Sequence, residues 1–351
     1  MKDFTGKTIF LGIDVHKETY SIAAICEEVV VKKATIKARP EELIAFCKKF
    51  FVGARITSAY EAGFSGFYLH RALIKTGIEN IVIHAADLEV AVGDRVKTDK
   101  KDSLKLATQL AAKRLKGIYV PSEEREEQRT LTRVRDQIVE HKTATANQIK
   151  SLLHLHGLIL PDFKKVVSPK WIASLKKLPM KEGIRFTLNQ LIKLWESLAE
   201  QLKEINAELE IQAAKDSKID EVYKSVPGIG PLGARILSNE LGNMSQYNNE
   251  RQLFSYTGLT PSEYSSGSHV RKGNISRQGN AIVRKMLVLA AWKAIRQDNS
   301  LREIFERIGR KAGFKKAIIA VARRLIGRIR ACFKKNCSYE FEKLEPLANA
   351  A

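Results

Sequence analysis

The chain has 351 residues, 44% of them hydrophobic, and 60 Lys and Arg against 39 Asp and Glu, for a formal net charge of +21. That length and apolar content exclude wholesale disorder and allow two or three domains, while no run approaches the roughly 18–20 uninterrupted apolar residues of a membrane-spanning helix. A field this positive favours a polyanion, and MKDFTGKTIFLGID lacks a signal-peptide core, so the expectation is a cytoplasmic protein that binds nucleic acid and no membrane.

The first third reads as mixed α/β. KTIFLGIDV is a strand whose apolar run ends at Asp14, and TYSIAAI and EVVVKKATIK follow at hairpin spacing as antiparallel partners. PEELIAFCKKFF has helical spacing behind a proline. ARITSAYEA is a short strand that reaches Glu61, GFYLHRALIKTG a helix closed by Gly77, and NIVIHA a further strand. TDKKDSLKLATQLAAKRL is a long helix that starts near Thr98. Three hairpin-like strands followed by alternating helices and strands match the order of an RNase H-like domain, placed at residues 1–121. Cys26, Cys47, Cys332 and Cys337 lack zinc-ligand spacing, apart from a loose pair near the end, and read as free thiols.

Strand signals vanish from about Ser122. SEEREEQRTLTRVRDQIVEHKTATANQIKSLLHLHGL is polar and helical. After Pro161 a second helix carries Leu188, Leu191, Leu194 or Trp195, Leu198, Leu202, Ile205 and Leu209, at the spacings of three and four that make a coiled-coil seam. Residues 122–216 are therefore expected to form a coiled-coil helical domain. The seam either joins two copies of the chain or packs on its own chain.

Residues 217–351 read as a third, mainly helical domain. SVPGIGPLGARILSNELG has the form of a helix-hairpin-helix turn, in which Gly228 and Gly230 let backbone N–H groups approach a phosphate at the start of the next helix. A plain corner between two helices is the alternative. The stretch SEYSSGSHVRKGNISRQGN then forms a cationic loop between helices. A turn needs only its glycines and a phosphate surface only its charges; a Ser-Ser-Gly step beside both suggests a hydroxyl held against a phosphodiester. The last helices are dense in Arg and Lys on one face.

Four acids stand apart. Asp14 and Glu61 end strands, where sites of α/β sheets assemble. Asp99 and Asp102 sit three apart at the start of a helix and so share one of its faces; Asp99 could also serve as a cap. Clustered carboxylates repel one another unless cations lie between them, and oxygen-only ligands select Mg²⁺ or Mn²⁺. Two such ions activate and clamp a phosphodiester. Lys97, Lys100 and Lys101 around the aspartates suit a nucleic-acid backbone.

As a set these residues resemble the DEDD-type, bridge-RNA-guided insertion-sequence transposases, the group that includes the Piv-like DNA invertases. FLGIDVHKETYSIAAI, YEAGFSGFYLHRALIKTGI and GDRVKTDKKDSLKLATQL are similar to that family's RuvC-like N-terminal domain. YKSVPGIGPLGARILSNELG and FSYTGLTPSEYSSGSHVRKGNISRQGNAIVRKMLVLAAW are similar to its C-terminal transposase domain. The resemblance spans nearly the whole chain. It implies a recombinase that moves its own element between donor and target DNA, guided by a structured RNA; the seam and the need for several cuts held together add the expectation of a dimer or tetramer. The resemblance further implies that Ser266 is the nucleophile, with Ser265 as competitor, and that Arg271, Lys272 and Arg277 neutralise the phosphate. Members of that family more often carry Lys where this chain has Arg277. Two rivals remain: a RuvC-like metal-dependent nuclease in which the serine is a bystander, and a non-enzymatic RNA-binding scaffold.

Overall fold

The computed structural model describes residues 3–85, 88, 99–158, 167–215, 217–264, 266, 269 and 271–341. They group into two units, Met1–Pro121 and Ser122–Ala351.

The first unit is built on a five-stranded sheet. β1 (Thr8–Val15), β2 (Thr19–Cys26) and β3 (Val29–Lys37) form an antiparallel meander, and β4 (Arg55–Glu61) and β5 (Glu79–Ile83) add in parallel, in the order β3-β2-β1-β4-β5. Glu27 and Glu28, both at positive φ, make the tight turn between β2 and β3. Helices α1 (Pro40–Phe50) and α2 (Tyr68–Lys75) cover one face. Pro40 opens α1, with Glu41 and Glu42 in its first turn and Lys48 and Lys49 in its last, as the helix dipole favours. Leu43, Phe46, Leu69 and Leu73 bury that face against Ile9, Leu11, Ile13, Tyr20, Ile22 and Tyr60. A single helix, α3 (Asp99–Ala111), covers the other face, with Leu104, Ala107 and Ala111 against Phe10, Ala23 and Ile25. β1 is thus covered on both sides, which explains its unbroken apolar run. The exposed edge strand β3 carries Lys32, Lys33 and Lys37, which discourage further strand pairing.

The second unit is helical. α4 (Glu123–Leu155) starts at Ser122, whose hydroxyl accepts from the Arg125 N–H, with Glu123, Glu124 and Glu126 in its first turn. It packs along α6 (Glu182–Lys215). The two run antiparallel: Arg135 Nε donates to Asn206 Oδ1 at 2.8 Å, and the Lys142 ammonium sits over the Trp195 ring. α5 (Pro169–Lys176) closes the tip, where Trp171, Ile172 and Leu175 meet Ile149, Leu153, Leu188, Ile192 and Trp195. The apolar stripe expected on α6 is therefore used within the chain, on α4. Leu188, Trp195, Leu198 and Leu209 are buried by it, whereas Leu194 is left 48% exposed.

The remaining elements are α7 (Ser217–Lys224), α8 (Pro231–Leu241), α9 (Glu250–Thr257), β6 (Pro261–Glu263), β7 (Lys272–Ile275), α10 (Ala281–Ala294), α11 (Asn299–Ala312) and α12 (Phe314–Lys335); the helices and Ile275 of β7 share one large core. Asp298 is fully buried within it and fully engaged: it accepts from Ser300, the Leu301 N–H, Arg328 and Tyr339. The four cysteines are free, and burial pushes the Cys47 thiol up to about 12. Among the described residues no helix is long and apolar enough to cross a membrane.

Candidate active site

In the first unit the carboxylates are organised by strand register. Ile13 pairs with Tyr60 across the parallel β1–β4 ladder, so the next position sets Asp14 beside Glu61. Both lie at the C-terminal ends of their strands. Alternation puts them on the face opposite Ile13 and Tyr60, the face covered by α3. On the other side Asp14 pairs with Ser21, and Ser21 with Thr35. One row thus crosses four strands as Glu61, Asp14, Ser21 and Thr35.

Gly12 fixes where α3 lies over that row. A Cβ on Gly12 would stand 2.5 Å from the Ala107 nitrogen and closer still to the Ser103 carbonyl oxygen. The helix backbone therefore rests directly on β1, two residues before Asp14. Ser103 shares a cavity of about 240 Å³ with Ser21, Lys33 and Thr35, whereas Ala111 packs back at Phe10 and Ile25. Hence α3 runs antiparallel to β1, and its first turns, with Asp99 and Asp102, lie at the Asp14 end. The Asp14 carboxylate, 22% exposed, is 3.1 Å from His16 Nε2. The donor set is oxygen-only, which fits a hard divalent cation. Among the described residues no three His, Cys, Asp or Glu side chains stand close enough to hold a metal ion, and the Asp99 side chain is not one of those described.

Of the predicted cations, Lys101 is exposed on α3. Lys97 lies outside the described residues, and of Asp99, Lys100 and Lys272 only the backbone belongs to them. Sequence reasoning missed Ser21, Lys33, Thr35 and Ser103. Their signal was a polar residue inside the apolar run TYSIAAI, at the position that pairs with Asp14.

In the second unit the serine stretch is a β-hairpin rather than an open loop. β6 and β7 pair antiparallel, and Tyr264 N–H donates to the Arg271 carbonyl at 2.9 Å. Ser266 and His269 then exchange backbone hydrogen bonds of 3.2 and 3.1 Å at the tip. Ser266 is exposed there, and His269, directly opposite, shares its face of the ribbon. Ser265 and Gly267 lie outside the described residues. Arg271 is exposed at the start of β7. Arg277, also exposed, adopts φ +56° where the ribbon returns to the helices. Gly258 and Gly279, both at positive φ, cross at the ribbon's root, where a Cβ on either would collide with the backbone carbonyl of Gln278 or Tyr256. Of the two glycines in the turn before α8, Gly228 is pressed onto α10, with a Cβ position 2.7 Å from the Ala290 oxygen, while Gly230 faces open space.

The ribbon's root is anchored by a buried acid that no motif singles out. Glu240, at the end of α8, has no exposed side-chain surface. Arg133 Nε and Nη2 donate to its two oxygens at 3.2 and 3.3 Å. Asn280, the residue that caps α10, donates to Oε2 at 2.7 Å. Along α4, Arg125 and Arg129 add bonds to the carbonyls of Ser238, Asn239 and Glu240. Burial works against the charge on Arg133, yet the neighbouring Glu240 carboxylate leaves its guanidinium pKa raised. Arg133 is 54% exposed and can turn to solvent, but Glu240→Ala would leave the Asn280 amide and the nearby Arg129 guanidinium short of an acceptor, and should destabilise the second unit by about 2 kcal/mol. Glu240→Gln, which keeps the shape and one acceptor, should cost less. Denaturant midpoints of the two variants check the order.

Two family models match the chain. A transposase model of the DEDD type, named for IS110, takes in residues 11–157. The Transposase IS116/IS110/IS902 family model takes in residues 220–306. The first includes the acid row and α3; the second includes the glycine turn, Glu240 and the serine ribbon. The chain is similar to the transposase for insertion sequence element IS1111A of Coxiella burnetii, with 26% identity over 88% of this chain and 82% of the relative. It is also similar to the transposase for IS1328 of Yersinia enterocolitica, with 25% identity over 80% and 82%. A third relative is the transposase for IS1533 of Leptospira borgpetersenii, with 28% identity over 72% and 75%.

Proposed function

We propose that the chain, whose two parts match the DEDD-type IS110 transposase model and the IS116/IS110/IS902 transposase model, is an insertion-sequence transposase that works as an RNA-guided DNA recombinase, in which Asp14, Glu61, Asp99 and Asp102 activate Ser266. The observation that carries this reading is the acid row: two carboxylates side by side at parallel strand ends, with the first turns of an acid-bearing helix held over the same end by Gly12. A divalent ion held there, Mg²⁺ or Mn²⁺, would supply Lewis-acid activation of the phosphate and of the attacking hydroxyl.

The chain's own residues account for the rest. Ser266 Oγ forms a bond to the DNA phosphorus and gives up its proton, the phosphodiester O–P bond breaks, and the leaving DNA oxygen takes up one proton, so that one hydroxyl is consumed and one is freed. The phosphoserine link conserves the bond, so a hydroxyl of a second strand can attack it and restore the serine. The exposed tip of a two-stranded ribbon suits this work, since it can enter a groove or junction while Arg271 and Arg277 stand near the phosphates. Donor and target DNA are the substrates, and a structured guide RNA, read by shape and by unpaired bases, selects them. The family match removes the non-enzymatic scaffold from contention.

Denaturing electrophoresis after reaction with labelled DNA and the cognate RNA separates the two enzymatic readings. Wild type and Ser265→Ala should yield a covalent protein–DNA species, and Ser266→Ala should yield none. Strand cuts without any adduct would instead assign the chain to metal-activated hydrolysis.

A further inference from the structure

We propose that the corner between α10, α11 and α12 is a stacking site for an unpaired nucleobase. Three aromatic rings from three helices meet there. Trp292 of α10 lies edge-on to Phe305 of α11 at 5.6 Å, and Phe305 stacks on Phe314 of α12 at 5.3 Å with 30° between the planes. The outer two rings stay open to solvent: Trp292 is 42% exposed and Phe314 58%.

The rings are held in place. Gly309 sits inside α11, a poor position for glycine, and a Cβ there would lie 2.7 Å from two carbons of the Phe314 ring. The glycine lets Phe314 lie flat on the helix. Gly313, at φ +87°, makes the corner that starts α12 at Phe314. A ring that merely escaped burial would not need this seating.

Charge selects the occupant. Arg296, Arg302 and Arg310 line a cleft of about 550 Å³ with Phe305 and Phe314, and among the described residues the acid in its wall is Glu306. Glu306 is shared by Arg302 at 3.0 Å and Arg310 at 3.7 Å, so the cleft remains cationic. Flat rings beside guanidinium groups fit a base and its phosphate, whatever the base's identity. A second copy of this chain would bring a net charge of +21 to the same surface. Bases of an intact duplex already stack on one another, so the ligand is a base in a single-stranded segment. This inference uses the reading of the chain as a nucleic-acid recombinase for the identity of the ligand.

Tryptophan emission of the full-length protein reads the site directly. Trp171 and Trp195 are buried, at 6% and 3% exposure, so Trp292 carries the solvent-accessible signal. A short oligothymidylate should quench that emission to saturation. A duplex of equal length should bind, by anisotropy of an attached dye, without quenching. Trp292→Leu should abolish the quench and weaken oligothymidylate binding about tenfold, with duplex affinity unchanged. Phe314→Leu keeps the reporter and should weaken binding of the single strand in the same way; circular dichroism establishes that both variants are folded. Oligothymidylate binding by anisotropy with no quench, or with no loss in either variant, overturns the stacking site and leaves the recombinase reading intact. A dimer that dissociates in Trp292→Leu assigns the corner to a second copy and also overturns it. Failure of both oligonucleotides to bind overturns the site alone, because the recombinase reading is tested separately by the covalent adduct formed with the cognate RNA.

Discussion

Mixed oligomers of Asp14→Ala and Ser266→Ala proteins regain part of the recombination that each variant lacks alone. Each variant by itself should fall by roughly four orders of magnitude or more, the scale on which loss of a nucleophile or its activating group is felt. The recovery follows from the division of labour between two structural units: the acids belong to Met1–Pro121 and Ser266 to Ser122–Ala351. Strand exchange requires several cuts held together, which one pair of groups cannot supply. After α4 and α6 have paired, Phe186, Leu194 and Ile211 on α6 remain 67%, 48% and 51% exposed, apolar surface available to a second copy. If acids of one protomer activate the serine of another, a heterodimer holds one site with both halves intact. The measurement is recombination by the mixture after joint unfolding and reassembly, beside wild type treated in the same way. A dead mixture next to an active wild-type control would place the whole site within one chain.

Gly12→Val should abolish activity and lower the stability of the first unit by more than about 3 kcal/mol, beyond ordinary overpacking because the obstructing atoms are main chain. The added carbons meet the Ser103 carbonyl and the Ala107 nitrogen, so relief requires α3 to leave the sheet. If Asp99 and Asp102 act with Asp14 and Glu61 as proposed, lifting α3 separates them, and stability and activity should fall together. Gly63→Ala is the control. It lies two residues beyond Glu61, with nothing within 4 Å of its Cβ position, and should unfold like wild type. Thermal unfolding of the three proteins decides; a Gly12→Val protein with an unchanged midpoint would mean that α3 does not rest on β1 as described.

The first unit was legible because its signals are local. The apolar run into Asp14, the hairpin spacing of β2 and β3 and the proline before α1 each state their element within ten residues. The register that places Glu61 beside Asp14 belongs to the β1–β4 ladder and was not readable from either strand alone. The long-range features were not legible. The stripe on α6 has the spacing of a seam whether its partner is α4 or another molecule, and periodicity cannot tell which. Glu240 reads as a solvent-facing acid in SNELG because the arginines that bury it lie on α4, more than a hundred residues earlier. The serine ribbon was hidden for a different reason: its strands are short and polar, so no alternation of apolar residues announces them. Ser266 and His269 are spaced as a two-residue turn requires, but that spacing means little until a ladder is known to surround it.

The antiparallel pairing of α4 and α6 also sets a length. Helices of 33 and 34 residues at 1.5 Å per residue make a rod of ~50 Å. Its root is bolted to α8 by Arg125, Arg129 and Arg133, and its tip is closed by Trp171. Nucleic acid advances 3.4 Å per step along its axis, so the rod measures about fifteen base pairs from end to end, roughly one and a half turns of duplex. Contacts made at its two ends would therefore fall on opposite sides of a double helix lying alongside.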